Sequence, residues 1–172
     1  SASGRGVQDV SFVLTCGSFT VVTGRIGSGK TTLLRALLGL LEPQAGEERW
    51  NGQKIVHPAS FLVPPRVAYT PQSPTLLSGT LRENILLGLP GDDRLERAIH
   101  AAVLERDLAG FPDGLDTVVG ARGVKLSGGQ VQRTAAARMF VREPELLVVD
   151  DFSSALDVET EHLLWQRVSD LG

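Results

Sequence analysis

The spacing of apolar residues alternates between strand-like runs and helix-like repeats, a pattern that is typical of an α/β protein. The first 50 residues predict a strand, a second strand, a helix and a third strand, at residues 10–14, 19–23, 31–38 and 47–50. A turn at residues 16–18 separates the first two strands, and Asn51 with Gly52 predicts a hairpin turn after the third.

The rest of the chain follows the same alternation. It predicts a strand, an interrupted helical stretch, a helix and a final strand, at residues 66–69, 80–108, 130–139 and 146–149. The helical stretch is broken at residues 89–93, which contain Pro90 and Gly91. Residues 146–149 are wholly apolar, as expected of a parallel strand that is covered on both faces. A chain of 172 residues with 42% hydrophobic content can bury one sizeable core.

A glycine-rich loop joins the second predicted strand to the first predicted helix. Residues 24–31 match the phosphate-binding pattern G-x-x-x-x-G-K-[ST]. Between a strand and a helix N-terminus, free backbone N–H groups and the helix dipole favour an anion. Lys30 would reach the β- and γ-phosphates of a nucleotide, and the Thr31 hydroxyl would bind a magnesium ion that bridges them.

A second glycine-containing loop, residues 126–130 with the sequence Leu-Ser-Gly-Gly-Gln, opens the helix predicted at 130–139. Ser127 supplies a capping hydroxyl, and Gly128 and Gly129 leave backbone amides exposed. Taken alone, this loop is most simply a capped helix start. Because the chain also contains the first loop, we interpret this one as a second phosphate-binding loop.

Two carboxylates follow the last predicted strand. Asp150 and Asp151 stand directly after residues 146–149, and the active sites of open α/β sheets lie at the carboxyl ends of the strands. Asp150 suits magnesium, which prefers oxygen ligands. Asp151 would then be the carboxylate nearest to a water that attacks the γ-phosphate.

Composition excludes some classes of function. The formal charge of −3 and the scattered basic residues do not predict nucleic-acid binding. Cys16 is the only cysteine, so no disulfide within the chain is possible. No apolar stretch approaches the ~20 residues that span a bilayer, and the N-terminus has no signal-peptide pattern.

Five motifs in order give the chain its resemblance to a known family. It resembles the nucleotide-binding domain of ATP-binding cassette (ABC) proteins. The motifs that carry the resemblance are the Walker A loop (24–31), the Q-loop (70–72), the signature (126–130), the Walker B strand (146–151) and the D-loop (154–157). The resemblance implies a P-loop NTPase core, a mixed or parallel sheet flanked by helices, with an N-terminal antiparallel β part and an inserted helical subdomain. It divides one domain, residues 1–172, into segments 1–72, 73–142 and 143–172, the last incomplete.

The family resemblance also implies the site and its cofactors, ATP and Mg²⁺. Two such domains face each other head to tail, and the signature of one completes the ATP site of the other. The implied nucleotide contacts are Gly24, Arg25, Ile26, Gly27, Ser28, Gly29, Lys30, Thr31, Thr32, Ser127, Gly128, Gly129 and Gln130. The implied catalytic residues are Lys30, Gln72 and Asp151, and the implied magnesium ligands are Thr31, Gln72 and Asp150.

Two further stretches favour an exporter. Residues 72–85 resemble the segment after the Q-loop of export-type transporters, and residues 117–123 resemble their X-loop, which contacts the membrane domains. The implied partners are a second nucleotide-binding domain, as a homo- or heterodimer, and transmembrane domains at the cytoplasmic face of a membrane. The export-like stretch makes a soluble family member in DNA repair or translation a weaker alternative.

Three departures from the family pattern matter. Asp151 stands where most active members carry glutamate, and a carboxylate displaced by about 1 Å can slow a reaction ~100-fold. No adenine-stacking aromatic residue stands in residues 1–6, and the chain ends at Gly172 before the expected H-loop histidine, so we expect a truncated domain of reduced stability. Two functions stay open: a transport ATPase, or a degenerate module that binds ATP in a regulatory or structural role.

Overall fold

A computed structural model describes residues 6–121 and 123–170. The chain forms two units, and the boundary between them falls between Val63 and Pro64. Residues 1–5, where most of the expected adenine-stacking position lies, Arg122 of the predicted X-loop and the last two residues fall outside the described part.

The first unit contains two helices and a hairpin. Helix α1 spans Lys30–Leu37, strands β1 and β2 span Arg49–Trp50 and Gln53–Lys54, and helix α2 spans Pro58–Phe61. The strands pair antiparallel, with Arg49 opposite Lys54. Asn51 and Gly52 have φ values of 49° and 80°, the left-handed conformation that a tight hairpin turn requires. The predicted turn is therefore confirmed.

The two strands predicted at 10–14 and 19–23 are wrong. These residues are described, and they form no strand; the predicted turn between them does form, with the Ser18 N–H donating to the Thr15 carbonyl at 3.0 Å. A strand is defined by hydrogen bonds to a neighbouring strand, and no ladder reaches these segments. Val13 and Phe19 are 85% and 69% exposed. The antiparallel β part of this unit is the β1–β2 hairpin.

The second unit is built on a parallel strand pair. Strand β3 spans Val67–Thr70 and pairs in parallel with β6, Leu146–Val149, so that Val67 lies opposite Leu146 and Thr70 opposite Val149. Both predicted strands are confirmed, as is the parallel pairing expected of residues 146–149. The chain leaves both strands at the same end of the pair, which brings the residues after Thr70 and after Val149 together.

Helices make up most of the rest of the second unit. The helical elements of the second unit are α3 Leu81–Leu86, α4 Asp93–Ala101, α5 Glu105–Leu108, α6 Gly128–Phe140 and α7 Val158–Ser169, with 3₁₀ turns at Gly114–Asp116 and Ser153–Ala155. The predicted interruption of the first helical stretch separates α3 from α4. Among the described residues, no helix is long and apolar enough to cross a membrane.

The core of the second unit lies among these helices. Ile85, Leu104 and Leu164 are fully buried, together with the alanines of α6. Burying one leucine or isoleucine side chain stabilises a fold by roughly 1.5–3 kcal/mol. Because α6 presents Ala135, Ala136 and Ala137 to the core, its backbone lies close to the elements around it.

Buried polar contacts tie the segment after β3 to the helices. The Asn84 side chain accepts from the Leu77 N–H at 2.8 Å and donates to the Leu77 and Thr80 carbonyls at 2.9 and 3.0 Å. Arg138 of α6 donates to the carbonyl of Asn84 at 2.8 Å. Burial, followed by the nearby charge of Arg142, lowers the pKa of Arg138. These hydrogen bonds therefore hold residues 75–84 against helix α6.

Strands β4, Gly79–Thr80, and β5, Val118–Val119, pair antiparallel beside α3. The chain then turns back, and the Val124 N–H donates to the Val118 carbonyl at 2.8 Å. A Cβ atom on Gly123 would lie 2.2 Å from the Val118 carbonyl oxygen and 2.8 Å from the Val119 Cα. Only glycine fits this approach, because the atoms it meets belong to the backbone.

We predict that Gly123→Ala lowers the free energy of unfolding by about 1–3 kcal/mol, the usual cost of overpacking. Urea unfolding, followed by circular dichroism, measures this change. Gly91→Ala is the matched control, because its Cβ would meet only the Leu86 side chain at 3.8 Å. Equal stabilities of the two variants would contradict the close approach at Gly123.

Candidate functional site

The first predicted loop folds around its own lysine. The Lys30 ammonium donates to the Gly24 carbonyl at 2.9 Å and to the Arg25 carbonyl at 3.2 Å. The Ser28 N–H also donates to the Arg25 carbonyl, at 3.1 Å, which closes the turn. These contacts hold the ammonium group over the loop, where a phosphate group would meet it.

The same loop presents backbone N–H groups at the start of α1. Gly29 is the N-cap of this helix with φ 94°, and no side chain caps it. The first amides of a helix have no partner within the helix, so they are available to an anion. Thr31 and Thr32 stand in this first turn. All predicted nucleotide contacts of the Walker A loop lie in the first unit.

Three predicted residues come together in the second unit, at the carboxyl ends of β3 and β6. We call Gln72, Asp150 and Asp151 the sheet-edge cluster. The Gln72 side-chain amide donates to Asp151 Oδ2 at 2.9 Å, although 79 positions separate the two residues in the sequence. The Asp150 N–H donates to the Thr70 carbonyl at 3.0 Å and continues the strand pairing.

Asp150 has the chemistry of a cation ligand. Its residue is 7% exposed, and its Oδ2 atom is buried without a hydrogen-bond partner in the described structure. An unpaired buried carboxylate oxygen is costly, and a hard divalent cation would satisfy it. Among the residues described, no three His, Cys, Asp or Glu side chains form a metal-binding group. A Mg²⁺ ion at Asp150 would therefore take its other ligands from hydroxyl, amide, water or phosphate oxygens.

Asp151 adopts an uncommon backbone conformation. Its φ is 56°, in the left-handed region. Aspartate and asparagine occupy this region more readily than other residues with a Cβ atom, because their short side chains bond locally. This conformation turns the chain sharply after Asp150 and leaves the Asp151 carboxylate exposed at the sheet edge.

The signature loop, residues 126–130, is a complete capping box. The Gln130 N–H donates to Ser127 Oγ at 3.3 Å, and the Ser127 N–H donates to Gln130 Oε1 at 2.9 Å. Ser127 and Gly128 are exposed. A Cβ atom on Gly129 would lie 3.0 Å from the Ala155 carbonyl oxygen, so this glycine allows a close approach to the turn after Asp151. The predicted N-cap is confirmed, and its reciprocal partner is Gln130.

The D-loop aspartate has a local role. Asp157 is the N-cap of α7 and accepts from the Thr160 N–H at 2.9 Å and from its hydroxyl at 2.8 Å. These hydrogen bonds lower the pKa of Asp157, and the charge of Arg133 adds to the effect. The carboxylate therefore stays ionised at neutral pH.

Sequence reasoning missed the polar residues that connect these parts. The Gln132 side chain of α6 is buried and donates to the Gln72 carbonyl at 2.8 Å. Arg133 forms a paired contact with Asp107 of α5. The available signal was weak: Gln132, Arg133 and Thr134 are polar residues directly before an alanine run that faces the core.

Comparisons with known proteins match the part of the chain that carries these motifs. The family model described as ABC transporter matches residues 7–154. The chain is 38% identical over 170 residues to the probable multidrug resistance ABC transporter ATP-binding/permease protein YheI of Bacillus subtilis strain 168, covering 98% of this chain and 29% of that protein.

Two further comparisons also match ABC proteins. The chain is 37% identical over 169 residues to the mitochondrial ATP-binding cassette sub-family B member 10 of Mus musculus, covering 95% of this chain and 24% of that protein. The structure of a bacterial Atm1-family ABC exporter with ATP bound matches with a TM-score of 0.74 and 35% identity, over 84% of this chain and 26% of that chain.

The chain thus spans less than a third of the length of each of these relatives. The family match, the identities and the order of the motifs agree with one another. The chain belongs to the ABC transporter family, as a nucleotide-binding domain similar to those of its exporters.

Proposed function

We propose that this domain binds MgATP, pairs head to tail with a second nucleotide-binding domain and hydrolyses ATP to drive export. The sheet-edge cluster carries the proposal, because it places an amide, a buried carboxylate and an exposed carboxylate together at one end of a parallel strand pair. These are the groups that would orient a water, hold a cation and accept a proton.

ATP binding rests on the Walker A loop. Lys30 would exchange its two carbonyl contacts for phosphate oxygens, and charge-assisted bonds to phosphate are stronger than bonds to a neutral carbonyl. The uncapped amides at the start of α1 would hold the same phosphates. Residues 24–32 would therefore bind the triphosphate without a partner.

In the second unit, Asp150 and Gln72 would hold the magnesium ion. When bound, Mg²⁺ neutralises the charge that develops on the phosphate oxygens. Asp150 supplies a carboxylate oxygen that has no other partner in the described structure. Gln72 Nε2 would keep its hydrogen bond to Asp151, and Gln72 Oε1 would face the cation or the attacking water.

Asp151 would accept the proton of the attacking water. Its carboxylate ends one methylene closer to the backbone than that of the glutamate that is usual in the family. The hydrogen bond from Gln72 restrains it further. A general base that stops short of its water accelerates the reaction less, so we infer that hydrolysis is slow while ATP binding is retained.

The signature loop would complete the ATP site of the partner domain. Ser127 and Gly128 are exposed at the N-terminus of the 13-residue helix α6, where backbone N–H groups and the helix dipole attract phosphate. ATP would then lie between the Walker A loop of one domain and the signature loop of the other. The two domains would need ATP to close, and hydrolysis would let them separate.

Export is the transport direction that the relatives favour. Two of them carry the words permease or exporter in their names, and this chain matches only part of each. Transmembrane domains at the cytoplasmic face of a membrane would receive the movement of the closing domains through residues 72–85 and 117–123. The net charge of −3 gives no surface suited to nucleic acid.

A second candidate function rests on Asp151. If its short carboxylate cannot serve as a base, the domain would hold ATP as a regulatory or structural ligand in an asymmetric pair, and its partner would do the chemistry. Both candidates require the same ATP binding and the same pairing. They differ only in the rate of hydrolysis at this site.

We predict that Lys30→Ala weakens ATP binding about 10- to 100-fold, the loss of a charge-assisted hydrogen bond. Equilibrium binding of a fluorescent ATP analogue to the full-length protein measures this. Lys54→Ala, which removes an exposed lysine of the same unit that pairs with Glu47 at 3.6 Å, is the control and should bind as the parent does. Unchanged affinity in Lys30→Ala would contradict the Walker A assignment.

We predict that Asp151→Glu raises the single-turnover rate of ATP hydrolysis about 10- to 100-fold, because the longer side chain brings the carboxylate to the water. The affinity for ATP should change little. Asp151→Asn is the control, since it keeps the shorter length, removes the base and should abolish hydrolysis. An Asp151→Glu rate equal to that of the parent would refute the geometric explanation of slow hydrolysis.

We predict that Ser127→Arg abolishes ATP-dependent pairing, because a bulky cation would fill the exposed start of α6. Sedimentation velocity of the full-length protein with and without ATP measures pairing, and the ATP-analogue assay should still show binding by residues 24–32. Ser169→Arg, at the exposed end of α7, is the control. Pairing that persists in Ser127→Arg would show that the signature loop lies outside the interface.

A further inference from the structure

We propose that Asp107, on the short helix α5, is a positioning residue that holds the signature loop in the conformation that receives the partner's nucleotide. This inference rests on the proposed function, because it assumes that residues 126–130 face a second domain. Asp107 lies outside the five family motifs, and its ion pair with Arg133 would help to hold the loop.

The geometry of this ion pair is bidentate. Arg133 Nε donates to Asp107 Oδ2 at 2.7 Å, and Arg133 Nη2 donates to Asp107 Oδ1 at 2.9 Å. The two side chains are 13% and 12% exposed, whereas both partners of the surface pair Arg97–Glu143 are 55% exposed. Two parallel bonds away from water fix the direction of both side chains, which a single exposed contact does not.

Asp107 also reaches the signature loop directly. Gln130 Nε2 donates to Asp107 Oδ1 at 3.3 Å, while Gln130 Oε1 accepts from the Ser127 N–H. The Gln130 side chain is thus held at both ends, and it closes the capping box only in this orientation. A continuous chain of hydrogen bonds runs from the Asp107 carboxylate through Gln130 to the backbone of Ser127.

Helix α5 attaches Asp107 to the core of the second unit. The Asp107 and Leu108 N–H groups both donate to the carbonyl of Leu104, at 3.1 Å, and Leu104 is 1% exposed. The carboxylate is therefore anchored to the core of the second unit rather than to the surface. Asp107 thereby fixes the position of the signature loop relative to that core.

Removing the Asp107 charge would disturb the loop in two ways. In Asp107→Asn an amide N–H₂ group replaces one carboxylate oxygen, so a donor would face Arg133 or Gln130 in place of an acceptor. Arg133 would also keep a largely buried charge without its counter-ion. The charge of Arg133 also acts on Asp157. Hydrogen bonds from Thr160 lower the pKa of Asp157, and the charge of Arg133 lowers it further. Arg133 would be drawn toward Asp157, away from the start of α6.

The test compares Asp107→Asn with Glu105→Gln in the full-length protein. Glu105 lies on the same helix and also pairs with an arginine, Arg167 of α7 at 2.6 Å, so the control removes an equivalent charge that does not reach the signature loop. Amide hydrogen exchange of residues 127–130 reports the loop itself. We expect about tenfold faster exchange in Asp107→Asn and no change there in Glu105→Gln.

ATP-dependent pairing, measured by sedimentation velocity, reports the consequence. We expect Asp107→Asn to raise the ATP concentration needed for half-maximal pairing about tenfold, with ATP binding by residues 24–32 unchanged. Exchange and pairing equal to those of Glu105→Gln would overturn the proposal. If Ser127→Arg also pairs normally, the proposed function fails; if only Asp107→Asn does, the positioning role alone fails.

A double variant decides the case if Asp107→Asn does not fold. Asp107→Leu with Arg133→Met removes both charges together, and replacing a buried ion pair by apolar residues of similar size is often neutral for stability. We expect this variant to fold and bind ATP but to show the same fast exchange at 127–130 and the same weak pairing. Normal exchange and pairing would reduce the ion pair to a structural contact and overturn the proposal.

Discussion

Parallel hydrogen bonding between β3 and β6 fixes where the polar residues after each strand can lie. Thr70 is opposite Val149, and the bond from the Asp150 N–H to the Thr70 carbonyl extends the pairing by one step. Gln72 and Asp151 follow at the same end and meet there. A slip of one residue in this register would turn the Asp150 side chain to the opposite face of the sheet, so the sheet-edge cluster depends on it.

Helix α6 connects this cluster to the signature loop. Its alanine face is buried, its Gln132 side chain donates to the Gln72 carbonyl, and its first turn carries the Ser127–Gln130 capping box. One helix therefore contacts both the segment that leads to the sheet edge and the signature loop. In the proposed pair of domains, this helix would connect the sheet-edge cluster of one ATP site to the loop that completes the other.

The sequence was most informative where local chemistry decides structure. The turn at Asn51 and Gly52, the cap at Ser127 and the apolar run before Asp150 each carry their own signal, and each was confirmed. The strands expected at 10–14 and 19–23 failed because pairing depends on a neighbour that local pattern does not reveal. The contacts of Gln72 with Asp151 and of Asp107 with Arg133 join residues distant in sequence, so only the tertiary structure shows them.

In the proposed pair, each signature loop serves the nucleotide of the partner domain. Mixing two full-length variants, Lys30→Ala and Ser127→Arg, tests it most directly, because each mixed pair unites the intact Walker A loop of one chain with the intact signature loop of the other. Each variant alone should trap no ATP between domains. If one intact composite site holds a mixed pair and half of the pairs are mixed, a one-to-one mixture should trap about a quarter of the parent's amount. A mixture that traps no more than the separate variants would contradict the account.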